Sequence, residues 1–514
     1  MKSLNKLAAA FLILGTVGTV KAQLPQGEEC GCPDFESREN VLISTLTDAN
    51  GNLSTSTTLT CDKVYELDQT LYVGDGLTLT IQAGSIIRGQ AGTGLDAKSV
   101  LISRGGKIMA MGTKNCPIQF TSTEDNLDGT KSLLDVAEWG GLIVLGKATN
   151  NLLLADGGLA IADGVGVIEG FDTEDPRAYY GAEGQAFDDN DNSGVIRHVS
   201  IRHGGSVVGD PSLGNDINGL TLGSVGRGTT IENVEVIANF DDGIEFFGGT
   251  VDLRYGAVLF CGDDYFDYDH GYTGRNQFLY GLQFAGGDFD QGDEGFEMDG
   301  DDENSGNDPA SAPVIYNATV IGNASDRGIL AKEALEGKIA NSIFGNFNVG
   351  VDLDDDRATD AVDNFLNGDL ELVNNSFVDC PTLLTVGEAA PSSDVNNLFS
   401  NSGNIDAPGL IDTSFDLDTE NGTTVLDAAN VIPEAGTAST DEAAPIDDFF
   451  QPAAYRGAFA PGSSESWLSG TTIDAYNIDN SLVSCPSDLN NDGEVNSGDF
   501  LIFSGDFGSS CAIE

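Results

Sequence analysis

Three segments between Asp241 and Gly300 repeat one pattern: DDGIEFFG (241–248), DDYFDYDH (263–270) and DEGFEMDG (293–300). Each opens on two acids and carries a third acid three residues further on. Apolar residues fill the alternating places: Ile244 and Phe246, Phe266 and Tyr268, Phe296 and Met298. The first two copies are 22 residues apart, the length of one coil in a stacked β-solenoid. If the copies are successive coils, strand spacing puts Asp241, Asp263 and Asp293 in one column at about 4.8 Å. Asp242, Asp264 and Glu294 form a second column, and Glu245, Asp267 and Glu297 a third. Like charges at that distance repel by roughly 0.8 kcal/mol in water and about 3 kcal/mol at an effective dielectric near 20. A chain that repeats this arrangement needs a counter-charge, and a hard cation with oxygen ligands, calcium above all, supplies it. The bland alternative is that backbone N–H groups and water satisfy the turn acids and the outward column tolerates its repulsion.

A second pattern for calcium lies near the end of the chain. Asp488, Asn490 and Asp492 take ligand positions 1, 3 and 5 of an EF-hand-like loop, and Gly493 provides the turn at 6. Glu494 would give its carbonyl at 7, with Asn496 at 9 and Asp499 at 12. Oxygen donors at every second residue are what a loop wrapped round calcium requires. The run Asp188-Asp189-Asn190-Asp191-Asn192 is a weaker candidate of the same kind, and an ordinary turn explains it as well.

Stacked coils are also what the rest of the chain implies. Long amphipathic helical stretches are absent, and short β-rich runs recur between Gly, Asn and Asp turns. LTIQAGSIIRG (79–89) is answered by LISRGGKIMAMG (101–112) and GLIVLGKA (141–148). VIRHVSIRHGG (195–205), TIENVEVIANFDDG (230–243), ATVIGNASDRG (318–328) and IANSIFGNFNVG (339–350) repeat one theme. Glycine is 66 of 514 residues, about 13%, which suits many tight turns. The expected fold is all-β: a right-handed parallel β-helix over 61–400 with a small C-terminal EF-hand-like module at 485–514. Residues 23–60 would form an N-terminal segment and cap. Residues 401–484 would be irregular, with the aromatic stretch 447–467 docking on the helix end. Interruptions are expected at 122–138, 149–192, 206–224, 285–292, 299–312 and 352–370, and such insertions gather on one face of a solenoid, often the binding face.

Composition narrows the function. The formal charge is −59, so nucleic acid and anionic lipid are improbable partners. Lys2 and Lys6 precede an apolar run from Leu7 to Val20, the form of a secretory signal peptide over 1–22. Removing its three lysines takes the charge from −59 to −62. No stretch has the roughly 20 apolar residues of a transmembrane helix. The expected location is secreted or on the outer cell surface. Eight cysteines (30, 32, 61, 116, 261, 380, 485, 511) favour disulfides. Cys485–Cys511 brackets the terminal module, and Cys61–Cys116 and Cys261–Cys380 are the next expected pairs.

Several long motifs are recognisable. WGGLIVLG (139–146), VIRHVSIRHGG (195–205), residues 217–251, GRNQF (274–278), GFEMDG (295–300) and YRGAF (455–459) together resemble a family of secreted right-handed parallel β-helix proteins of Bacteroidetes and other marine bacteria. The resemblance covers about 60–475 and implies the fold, not an activity. The terminal segment 485–511 is similar to one repeat of a dockerin, although a dockerin has two such loops and this chain has one.

Three functional readings follow. The first is a calcium-binding β-helix with a binding or structural role toward polysaccharide or extracellular matrix. The second is a calcium-dependent polysaccharide lyase or other carbohydrate-active enzyme. Arg254, Arg275 or Arg327 would then be the base, or a carboxyl pair among Glu245, Asp267 and Glu297 would drive hydrolysis. Against catalysis, acids stacked on one column should lie on an open surface, not astride a bond. The third is a surface-attached cargo protein held by its C-terminal module. His198 and His203 are expected to cap or pair within the coils, His270 to neutralise the second acid copy, and Trp139 and Trp467 to pack in the core or end cap.

Overall fold

A computed structural model describes residues 28–471. It leaves out short stretches at 129–130, 156, 207–215, 285–291, 301–306, 325, 355–359, 414–415, 419–422, 426–430, 441–442, 464–465 and 469–470. The signal-peptide segment 1–22, the terminal loop from Asp488 to Asp499 and the pair Cys485–Cys511 therefore lie outside the described residues.

The chain winds as a parallel β-helix. Among the described residues one large sheet has 17 strands and a second has ten, and every pairing within both is parallel. Residues at equivalent places of successive coils sit in register. In the long sheet Val199, Val234, Gly256, Leu279 and Ala318 follow one another across five strands. In the ten-stranded sheet one ladder runs Tyr72, Leu101, Ile143, Thr221, Glu245, Asp267, Glu297, Leu330, Asp352, Thr385.

The alternation of apolar residues produces this architecture. A strand sends successive side chains to opposite faces, so Ile244 and Phe246 point inward while Glu245 and Phe247 point outward. The inward set is fully buried and stacks coil on coil: Phe246 lies over Tyr268 at 5.1 Å and Phe266 meets Phe296 edge-on at 5.5 Å. Each buried aromatic contributes roughly 1.5–3 kcal/mol, and no coil could bury its own inward face alone.

The interruptions have different fates. Residues 149–192 carry an antiparallel three-stranded sheet, Ala160–Ala162, Val165–Val167 and Tyr179–Gly181. The expected loop 206–224 ends earlier, because Leu220–Val225 is a full strand of the ten-stranded sheet. In 352–370 the chain forms the helix Ala361–Asn367. The aromatic stretch after Asp447 runs along the flank of the long sheet rather than closing an end. Gln277 donates to the Gln451 carbonyl, Asn317 to the Tyr455 carbonyl, and Ala458 N–H to Thr319 Oγ1.

The cysteines correct two expectations. Among the described residues the disulfides are Cys30–Cys116 and Cys32–Cys61, while Cys261 and Cys380 are buried thiols. Cys261 and Cys380 each follow by two residues a place in the same ladder, Leu259 to Val378, four rungs apart. Four strand spacings amount to about 19 Å. A disulfide tolerates roughly 7 Å between Cα atoms. The Cys-Gly-Cys at 30–32 instead ties the N-terminal segment to the first coils. Among the described residues, no helix is long and apolar enough to cross a membrane.

An acid-lined cavity as the candidate functional site

The three acid columns stand in successive coils, as their spacing requires, but they meet different surroundings. Asp241 is half-buried at its turn, and Asp263 and Asp293 are exposed. Asp242, Asp264 and Glu294 are buried. Asp264 N–H donates to Asp242 Oδ1 at 2.8 Å and Glu294 N–H to Asp264 Oδ1 at 2.5 Å. Glu294 in turn holds the Arg327 guanidinium. The middle column is thus a ladder of carboxyl groups in which Asp242 and Asp264 accept the backbone N–H of the next coil, and burial holds all three above the ordinary carboxylate range.

Glu245, Asp267 and Glu297 pair in register on adjacent strands and face outward. Two residues further along the same face come Phe247 and Asp269, then Asp299 paired with Lys332. These side chains do not lie on an open surface, which overturns that expectation. They form the floor of a cavity of about 540 Å³, within the usual 300–1,000 Å³ of ligand sites. Its roof is the 149–192 insertion, through Leu152, Leu159, Ile168 and Phe171, with Glu169 among them.

The insertion sits there because the outward face changes character along the ten-stranded sheet. In the earlier coils the outward residues are Tyr72, Leu101, Ile143 and Leu145, all buried against Leu152, Val167, Ile168, Ala178 and Tyr180 of the insertion. This apolar half seats the insertion, and its far edge overhangs the acidic half. Polar ties fix it: Asn151 N–H donates to the His270 carbonyl, Gly249 N–H to the Thr149 carbonyl, and Arg177 stacks on the Tyr72 ring at 3.6 Å.

Charge is heavily unbalanced inside. Among the described residues nine carboxyl groups line the cavity, against the ammonium of Lys332 and the ring of His270. Lys332 Nζ lies 2.7 Å from Glu297 and 3.1 Å from Asp299. His270 Nδ1 lies 3.2 Å from Asp269 and 3.3 Å from the Tyr180 hydroxyl. Among the described residues, Asp267 Oδ1 and Asp299 Oδ1 are buried with no hydrogen-bond partner.

Loss of water and mutual repulsion raise most of these acids. Burial first, then Glu169 and Asp267, holds Glu245 well above the ordinary carboxylate range. Burial and Glu297 do the same to Asp267, and burial and Asp263 to Asp241. At the mouth, partial loss of water and then Glu297 and Asp293 push Asp263 up to about 6. Glu297 goes the other way. Burial raises it, but a hydrogen bond from Asp264 and the Lys332 ammonium outweigh that and keep it ionised. The cavity therefore sets a carboxylate beside carboxylic acids, which is the raw material of acid–base chemistry.

Two groups of carboxyl oxygens approach closely enough to share a metal ion. Asp241, Asp242 and Asp263 form one and Asp242, Glu245 and Asp267 the other, with ligand atoms within 4.8 Å of one another in each. Hard oxygen donors in mutual repulsion suit calcium. Of the residues singled out for metal in this region, Asp241, Asp242 and Asp263 come together at the mouth. Asp264 and Glu294 are engaged in the backbone ladder, and Asp293 sits outside on its turn.

The candidate bases are elsewhere. Both Arg254 and Arg275 stand on the long sheet: Arg254 pairs with Glu232 and donates to the Phe449 carbonyl, and Arg275 holds Asp252, Asp447 and Asp448. Arg327 pairs with Glu294 and lies 3.8 Å from Asp352. Asp188 and Asp189 accept from Asn190 N–H and Thr149, as turn residues do. His203 is buried on the Asp135 carbonyl, and Trp139 is buried with its indole N–H on the Arg202 carbonyl. Trp467 packs on Phe459.

Sequence reasoning passed over Glu169, Asp269, Asp299, Lys332 and Phe171. Asp269 and Asp299 carried a usable signal, since each lies two residues beyond the third acid of its copy and hence on the same face. Glu169 and Phe171 carried none, because only the folded insertion brings them over the acids.

The family model for the pectate-lyase-like beta helix domain matches residues 51–413, and the chain belongs to that family. Comparison with curated proteins and with solved structures gave no match. Membership of the family fits a carbohydrate-related role.

Proposed function

We propose that this chain is an exported, calcium-binding β-helix protein that holds polysaccharide in the covered acid cavity. The observation that carries the reading is the cavity: nine carboxyls under an apolar roof, with two buried carboxylate oxygens lacking any partner. Asp241, Asp242 and Asp263 would hold the calcium ion, since their oxygens converge within 4.8 Å at the mouth. Calcium there would neutralise the turn acids and offer open coordination places to sugar hydroxyls. The apolar roof, Phe171 above all, supports the reading by giving a sugar ring a surface to lie on. Export is supported by the two disulfides, which oxidising compartments sustain. A second calcium in the loop from Asp488 to Asp499, and attachment through that module, belong to the same proposal.

The test is calcium titration of the full chain, followed by polysaccharide binding with calcium or with chelator. Asp241→Asn with Asp263→Asn should lower the calcium stoichiometry by one and weaken calcium-dependent glycan binding at least tenfold. Unchanged stoichiometry and unchanged glycan binding in that variant would refute the reading.

One observation favours an enzyme as the second reading. Glu297 is held ionised while Asp267, its partner one coil away, is held protonated. That division is the one glycoside hydrolysis by two carboxyls employs. A lyase is less well supported, because Lys332, the lysine lining the cavity, is fixed between two carboxylates and held protonated by burial-resisting contacts with Asp299 and Glu297. Release of reducing ends from bound polysaccharide, lost in Glu297→Gln, would establish hydrolysis.

A further inference from the structure

The charge of the cavity limits what kind of saccharide it can take. Among the described residues nine lining carboxyls face one lysine, and a calcium ion at the mouth adds two positive charges, so six carboxyls remain without a fixed counter-charge. A uronate, the acid sugar of pectate, would add to that excess. Burial and crowding hold most of these acids protonated, and a bound cation can take the place of those protons where a uronate cannot.

A second calcium at the inner end is poorly served. Calcium needs six to eight oxygens. Opposite Glu245 and Asp267 the roof supplies one carboxyl, Glu169, and otherwise carbon, from Leu152, Leu159, Ile168 and Phe171. An ammonium group needs far less, three acceptors for its three N–H bonds. The protein already seats one such group here: Lys332 Nζ lies between Glu297 and Asp299, two residues apart on one strand. One coil earlier Asp267 and Asp269 repeat that spacing on the adjacent strand; Asp269 faces the His270 ring at 3.2 Å, and among the described residues no lysine bridges the two acids. Asp267 is 8% exposed, lines the cavity and has its Oδ1 without a partner.

We infer that the cavity selects a cationic saccharide, an amino sugar of the glucosamine type. Asp267, with Glu245 beside it, receives the ammonium, and Phe171 and Leu159 cover the ring's apolar face. This rests on the cavity being a carbohydrate site and names the class of sugar it takes.

The experiment is calorimetric titration of the full chain at slightly acidic pH with three tetrasaccharides, in calcium and in chelator. The three are fully deacetylated glucosamine, its N-acetylated counterpart and galacturonate. The expected result is binding of the deacetylated oligomer at least tenfold tighter than the N-acetylated one, persisting in chelator, with galacturonate weakest. Asp267→Asn, checked for native circular dichroism, should cost at least tenfold for the deacetylated oligomer and little for the acetylated one. If that variant does not fold, Phe171→Ala on the insertion takes its place and should weaken both glucosamine oligomers. Calcium-dependent preference for galacturonate would overturn the inference while leaving the broader carbohydrate reading intact. Equal binding of acetylated and deacetylated oligomers would overturn it in the same way. Binding of none of the three, nor of other glycans, would sink both.

Discussion

Two columns of acid stand three residues apart in the same repeat and do opposite work. Asp242, Asp264 and Glu294 lie at the turn, where the next coil presents a backbone N–H at hydrogen-bond distance; Asp264 and Glu294 are taken up by that ladder and by Arg327, while Asp242, at its head, also reaches the cavity mouth. Glu245, Asp267 and Glu297 lie within strands whose backbone is already satisfied by the sheet, so their carboxyls must find partners elsewhere. They find one another, Lys332, and an enclosed space. Equal spacing in the sequence therefore does not imply equal function. What separates a structural acid from a functional one here is whether a backbone donor is within reach.

The sharpest break between the columns is in stability. Asp264→Ala removes the acceptor for the buried Glu294 N–H and should destabilise by about 3 kcal/mol, read from chemical denaturation. Asp267→Asn should change stability by less than about 1 kcal/mol or raise it, since it removes repulsion and no backbone bond. Similar losses in both variants would erase the distinction.

The pH response sharpens it next. Asp263 titrates at about 6 in the folded chain, against roughly 3.9 in an unfolded one. A carboxyl raised by folding makes the native state bind the proton more tightly, so its contribution to stability is present below pH about 4 and is lost as pH rises through about 6. Glu245, Asp267 and Asp241 shift in the same direction. In chelator, thermal stability should therefore fall from pH 4 toward neutrality. Calcium, which binds the ionised acids, should remove most of that fall. A stability curve that rises with pH in chelator would contradict the crowding of charge in the cavity.

A smaller effect concerns the roof. Leu159→Ala, at the half-buried edge of the insertion, should lower stability by about 1 kcal/mol and weaken ligand binding without altering calcium affinity at the mouth. The smallest is a count. Cys380→Ala should reduce the thiol titre of the denatured chain by one, where a Cys261–Cys380 disulfide would raise it by one.

Much of the fold was legible. The 22-residue interval between Asp241 and Asp263 and the alternation around Phe246, Tyr268 and Met298 were enough to predict stacked coils and the register of the acid columns. Strand Leu220–Val225 was absorbed into an expected loop because its Thr-Leu-Gly-Ser sequence is too short and polar to stand out. The disulfides escaped for another reason: spacing along the chain says little about which coils a terminal segment crosses. The terminal loop from Asp488 to Asp499 remains a reading of sequence alone.

Local pattern decided the coil, the buried inward face and the alignment of like charges, because each depends only on period two within a strand and one coil length between strands. The site was decided by tertiary structure. Whether an outward carboxyl meets water, a backbone N–H, a lysine or a roof depends on segments some hundred residues away, such as Glu169 and Phe171, which line the same cavity as Asp267. Long-range packing brings those groups together, and it moves the acids from surface charge to an enclosed, electrically unbalanced cavity.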